Sequence, residues 1–196
     1  MSSVTRILHL LRSPTTEWTV IERETTQPLD LVRRYLAPLS AAVLLASIVG
    51  SLIVEMVPFP LAEILRLGVT AVLTFIATAV MMFVLAIVIS ELAPHVGGRS
   101  DVNRAFSVAM YAYTPSLVAG LGRAVPVIAG LAAFLGALYS LYLLYLGLTQ
   151  VIKVPSDKTI GGTAFLAVTA IVGSFVLRSV MGHFLGAGLL GSRLTD

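Results

Sequence analysis

Residues 67–92 read LGVTAVLTFIATAVMMFVLAIVISEL, and the only charged side chain among them is Glu91, next to the end. An α-helix rises about 1.5 Å per residue, so this stretch reaches about 39 Å. The hydrocarbon core of a bilayer is about 30 Å thick. A stretch this long and this apolar predicts a membrane-spanning helix, closed by Pro94 and Gly97-Gly98.

Working outward, four more stretches carry the same signal. Residues 35–57, YLAPLSAAVLLASIVGSLIVEMV, precede it and end at Pro58 and Pro60. Residues 105–122 follow, short and interrupted by Pro115; then come 125–150, and 159–178 after Pro155-Ser156-Asp157. Only Gly120-Leu121-Gly122-Arg123 separates the third and fourth, which predicts a tight antiparallel hairpin with Pro126 in the first turn of the fourth helix. The expected fold is an all-α polytopic transmembrane bundle of five spans (residues 35–190) behind a short amphipathic N-terminal segment (residues 1–34). Residues 179–190 are apolar and glycine-rich; they extend the fifth span or lie in the interface.

Composition agrees. Of 196 residues, 57% are hydrophobic and 12% charged, against about 45–50% and about 25% in soluble domains. A chain of this size has too little interior to hide the excess, so the lipid bilayer is its expected partner. The net charge of +3 is small and scattered, unlike the clustered basic face of a nucleic-acid binder. There is no cysteine, which excludes disulfides, cysteine-bound zinc and thiol catalysis. Residues 1–34 carry nine charges and no apolar core of signal-peptide length, so the first span is expected to be uncleaved.

Loop charge gives a direction. Arg6, Arg12, Arg23, Arg33, Arg34, Arg99, Arg104, Lys153 and Lys158 fall on one side of the five spans, and Arg66, Arg123, Arg178 and Arg193 on the other. Nine against four places the N-terminus in the cytoplasm and the C-terminus outside. In the N-terminal segment, Val4, Ile7, Leu8 and Leu11 share a helical face between Arg6 and Arg12, and Trp18 is the aromatic anchor expected of an interfacial helix.

Candidate sites follow from polar residues near the spans. Glu55 and Arg178 lie at similar depth near the outer side, either as an ion pair or as two groups reaching separately for headgroups. Glu91 and His95 are four apart but interrupted by Pro94, and a solvated loop explains them better than a metal. Tyr111, Tyr113 and Pro115 in the third span overlap in depth with Tyr139, Tyr142 and Tyr145 in the fourth, roughly 7–17 Å from the inner ends. Two readings stand: a polar aromatic pocket for a lipid headgroup or small solute, or an aromatic belt with hydrogen bonds that hold the hairpin. Pro115 also leaves the Tyr111 carbonyl free for a hydroxyl. Ala129/Ala133/Ala137 and Gly182/Gly186 have the small-residue spacing of close helix contacts, which suits a homo-oligomer or contact with other membrane proteins. P-loop, GxSxG and HExxH motifs are absent, no acid sits near mid-span, and neither an enzyme nor a cofactor or metal is expected.

Some of these residues resemble a known family. YAYTPSLVAG (111–120), LYSLYLLYLG (138–147) and KVPSDK (153–158), with EWTVIE (17–22) and YLAPL (35–39) before them, are similar to the bacterial branch of the Yip (Ypt/Rab-interacting) family. The resemblance implies five spans, a cytoplasmic N-terminus, residence in the bacterial inner membrane and no known enzymatic activity. Eukaryotic members act in Golgi and endoplasmic-reticulum traffic and bind Rab-type GTPases. Their Asp-Leu-Tyr-Gly-Pro motif is matched here only by Asp30-Leu31, with the proline displaced to Pro38, and the Rab partner does not carry over. The expected role is a membrane-organising or partner-binding scaffold. The alternative is binding or passage of a lipid or small solute at the tyrosine-rich hairpin.

Overall fold

The first long apolar helix begins seven residues before Tyr35. A computed structural model describes the backbone of residues 3–24, 27–55 and 61–190, and the side chains of residues 4–24, 27–53, 67–177, 179 and 180. In it, α1 (Ser3–Arg12) and α2 (Pro14–Arg23) form a pair joined by Ser13, and α3 (Pro28–Leu31) runs through a π-helical turn (Val32–Leu36) into α4 (Ala37–Glu55). Pro38 accounts for the wide turn. It has no N–H for the Arg34 carbonyl, and its ring crowds that carbonyl. The Ala37 N–H reaches back five residues to Val32 O instead.

α5 (Leu61–His95) is 35 residues long. It closes with Gly97 at φ +86° and the Gly98 N–H on Ala93 O at 2.7 Å, a left-handed cap that carries no steric cost for glycine. The third segment, expected over 105–122 as a short span interrupted by Pro115, is divided in the structure. It consists of α6 (Val102–Ala112), α7 (Thr114–Ala119) and a 3-10 turn (Gly120–Ala124). Asp101 starts α6, its Oδ1 accepting the N–H groups of Asn103 (3.0 Å) and Arg104 (3.2 Å). The division falls at Tyr113, because Pro115 offers no N–H to the Tyr111 carbonyl. Tyr113 keeps helical dihedrals (φ −79°, ψ −9°), and Leu117 N–H still reaches Tyr113 O. The chain is thus kinked there rather than interrupted. α8 (Pro126–Gln150) and α9 (Ser156–Leu190) complete the described chain.

Among the described residues, four stretches of helix are long and apolar enough to cross a membrane: Pro28–Ile53, Leu67–His95, Pro126–Gln150 and Ser156–Leu177. The kinked third segment is not among them. It is instead the centre of the bundle. Every residue from Ala105 to Ala112 is buried, with α5 and α8 packed on either side. Phe106, Val108 and Met110 join Ile89, Leu143 and Trp18 in one core. The outer helices bury little: 11% of the apolar window of α8 and 6% of that of α9. Val127 and Phe175 point outward at 94% and 72% exposure. Helices apolar all round with so little protein contact need lipid around them.

Three contacts mark the ends of the bundle. At the end carrying α1 and α2, the Arg99 N–H donates to Ile152 O at 2.7 Å, and Lys153 Nζ meets Glu22 Oε1 at 2.7 Å. At the far end, Gly50 of α4 lies so close to the carbonyl of Arg123 that a Cβ there would overlap it. The third segment runs from the first end to the second. It returns as α8, with Gly136 against the Pro115 carbonyl and Ala119 and Ser116 Oγ 2.9 Å from Ser140 Oγ.

Candidate functional site

Arg6 is the most enclosed cation among the described residues, at 7% exposure. It sits on the face of α1 that turns inward with Ile7 and Leu10, leaving Val4 and Leu8 exposed. Its guanidinium grips Glu24 with two bonds, Nη1 to Oε2 at 2.6 Å and Nη2 to Oε1 at 2.7 Å. Its Nε lies 3.4 Å from Oε1 of Glu17, itself 3% exposed, and Nη1 also donates to the Tyr111 hydroxyl at 3.2 Å. The guanidinium carbon stands 5.3 Å from the centre of the Tyr111 ring, within cation–π range. The hydrogen bonds to Glu24 raise the Arg6 pKa further above its ordinary value and hold the Glu24 carboxyl below the usual carboxylate range. The Lys153 ammonium likewise lowers Glu22.

This network passes into the bundle. Tyr111 meets Tyr35 edge-on at 5.2 Å, and the Tyr35 hydroxyl lies 2.7 Å from Thr114 Oγ1, at the kink. Trp18 was expected at the lipid interface, but protein encloses it completely. Its ring fits over Gly147 of α8, where a Cβ would come within 3.0 Å of the ring and 2.7 Å of Val108. An indole that finds a glycine-made recess buries more area against protein than it could at an interface.

The six tyrosine-hairpin residues fall in four places. Tyr111 faces Arg6 and Tyr35. Tyr113, two residues on and so about 200° round the helix, lines a cleft on the opposite side. Pro115, Tyr139 and Tyr142 border a shallow groove with Leu11, the two tyrosine rings 5.6 Å apart. The Tyr139 hydroxyl donates to Leu11 O at 3.1 Å, tying α8 to α1. Tyr145 is about 120° round α8 from Tyr139 and packs, half-buried, against the core. His95 Nδ1 lies 2.9 Å from the carbonyl of Glu91, its own helix. The Glu55 and Arg178 side chains lie outside the described residues.

The cleft beside Tyr113 has a volume of about 180 Å³. α4 contributes Ser40 and Ser47 to its wall, and α5 contributes Thr70, Thr74 and Thr78. Arg123 lines it at the far end. The four- and seven-residue spacings of these hydroxyls are the one sequence signal of the cleft, since they put each set on one helix face. The Arg6 network has no comparable signal, because its members are 18 and 105 residues apart.

Long apolar helices around a buried polar centre define a polytopic α-helical membrane protein. The Yip1 domain model matches residues 8–177, from α1 into α9. The chain belongs to that family. No curated protein and no solved structure matches it.

Proposed function

We propose that the chain is a non-enzymatic scaffold of the bacterial cytoplasmic membrane, crossing five times with its N-terminus inside and the C-terminal end of α9 outside. The observation that carries this reading is the locking of α1 and α2 onto the bundle by Arg6, Trp18 and Tyr111. A segment held this way is a preformed surface at one end of the bundle. It offers the exposed charges of Arg12 and Arg23 and the Glu22–Lys153 pair to whatever docks there. A protein partner meeting a pre-ordered surface avoids the entropy of folding it. The same reading includes self-association and contact with other membrane proteins.

The fifth crossing in this proposal is the kinked third segment. Its support is geometric. The segment starts beside the Arg99–Ile152 contact and ends beside Gly50, at opposite ends of the bundle. A proline-broken helix is tolerated at membrane depth when protein surrounds it, and α6 is buried from Ala105 to Ala112. The scaffold reading is tested by copurification in mild detergent. Partners recovered with the wild type should be lost from an Arg6→Glu, Trp18→Ala variant that still inserts. Identical recovery from both would overturn the reading.

A further inference from the structure

The cleft between α4, α5 and α7 is independent of the N-terminal network and takes no part in the scaffold proposal. Its wall changes character along its length. At the far end stands Arg123, exposed and without an ion-pair partner among the described residues. The Thr70 hydroxyl, on the first turns of α5, makes no hydrogen bond among the described residues. Further along, three of the hydroxyls have already given their protons to their own helices, while Ser40 makes no hydrogen bond among the described residues. Thr74 donates to Thr70 O at 2.7 Å, Thr78 to Thr74 O at 2.8 Å and Ser47 to Val43 O at 2.9 Å. Between them stand Val43, Leu44, Phe75 and Leu117.

We infer that this cleft binds one anionic glycerophospholipid, with the phosphate at Arg123. Each part of the wall matches a part of that molecule. The guanidinium, unpaired among the described residues, suits a phosphate, to which arginine makes charge-assisted bonds. The Thr70 hydroxyl, free among the described residues, suits an ester carbonyl, which can only accept. The self-satisfied hydroxyls and the apolar side chains suit an acyl chain, which offers no hydrogen bonds. From Thr70 to Thr78 the helix rises about 12 Å, close to the half-thickness of about 15 Å of one leaflet. The cleft is enclosed on three sides and partly open, as a site filled from the bilayer must be. A soluble anion would use Arg123 but leave the apolar wall unfilled.

The closing experiment titrates the full-length protein in mild detergent with phosphatidylglycerol, phosphatidylcholine or inorganic phosphate, and reads bound lipid by native mass spectrometry. The expected result is one phosphatidylglycerol per chain, bound at least about tenfold more tightly than phosphatidylcholine. Arg123→Gln should erase the preference. Ala71→Phe, which fills the cleft and leaves the arginine in place, should abolish binding of both lipids. Trp18 emission reports that each variant is folded. Equal binding of the two lipids by the wild type, or unchanged binding by both folded variants, would overturn the site. Displacement of phosphatidylglycerol by millimolar phosphate would make the ligand a soluble anion and overturn the lipid.

Discussion

Arg6 and Tyr111 stand 105 residues apart in the chain and meet inside the protein, the guanidinium Nη1 donating to the phenol oxygen at 3.2 Å. The contact ties the segment before the first long apolar helix to the most buried helix of the bundle. It also fixes what each neighbour must be: an acid to neutralise the arginine, and a ring to cover it.

Removing the arginine alone should therefore cost more than removing the whole pair. Arg6→Met leaves the Glu17 carboxylate, 4% exposed, with only the half-exposed His9 ring, 3.2 Å from its Oε2, as a partner. A buried charge that loses its partner costs up to about 3–5 kcal/mol, and the His9 contact offsets part of that. The double change Arg6→Met, Glu17→Leu should recover most of that loss. Glu24 is 40% exposed, so water screens it, and Glu24→Gln should cost about 1 kcal/mol or less. Thermal unfolding in detergent, followed by resistance of residues 1–24 to proteolysis, measures all three. Equal losses for the single and double changes would refute the arrangement.

Trp18 is the only tryptophan, so fluorescence reports its site directly. The enclosed ring should emit in the blue and resist quenching by both aqueous acrylamide and brominated lipid. Gly147→Val puts methyl groups where the ring lies and should shift the emission to the red. An overpacked core position costs roughly 1–3 kcal/mol. Strong quenching of the wild type by brominated lipid would return Trp18 to the interface.

Acid should loosen the same region. Glu24 and Glu22 have folded-state pKa values below their ordinary ones, through hydrogen bonds from Arg6 and Lys153. A depressed carboxylate adds stability that is fully present above the unfolded pKa, about 4.3, and is lost as pH falls through the lower folded value. The Trp18 signal should then stay constant above about pH 5 and change only below about pH 4. Lys153→Met should remove the smaller part of that acid response and Arg6→Met the larger.

Much of the architecture follows from local rules. The long apolar runs could only be helices in lipid, and the loop of 120–123 could only join neighbours. Pro115 announced the kink at Tyr113, and Gly97 the end of α5. The starting point at Pro28 was hidden, because Asp30, Arg33 and Arg34 look like loop residues until the π turn lets α3 run into α4. The N-terminal network was hidden for a different reason. Arg6 and Glu17 are ordinary surface residues by type, and only tertiary contact makes them interior. Tyrosine depth along the hairpin was legible, whereas rotation about each helix was not. That is why Tyr111, Tyr113 and Tyr145 look toward different neighbours.

The hairpin between the third and fourth segments should depend on Gly136. A Cβ there would meet Ala119 at 2.5 Å and the Pro115 carbonyl at 2.8 Å. Gly136→Val should push α7 from α8 and lower the unfolding temperature, whereas Gly130→Val, with open space around it, should leave it within about 0.5 kcal/mol of wild type. Losing the Asp101 cap by Asp101→Ala should cost about 1 kcal/mol.

The central claim is that the kinked third segment crosses the membrane. The chain has no cysteine, so single cysteines can be placed without background at Ser100 and Leu121, both exposed and at the two ends of the segment. Labelling intact cells whose outer barrier is opened, using a maleimide that cannot pass the inner membrane, tests it directly. The account predicts reaction at Leu121→Cys at once and at Ser100→Cys only after the membrane is permeabilised. Reaction of both from the same side would mean that the segment turns back and would contradict the five-crossing architecture.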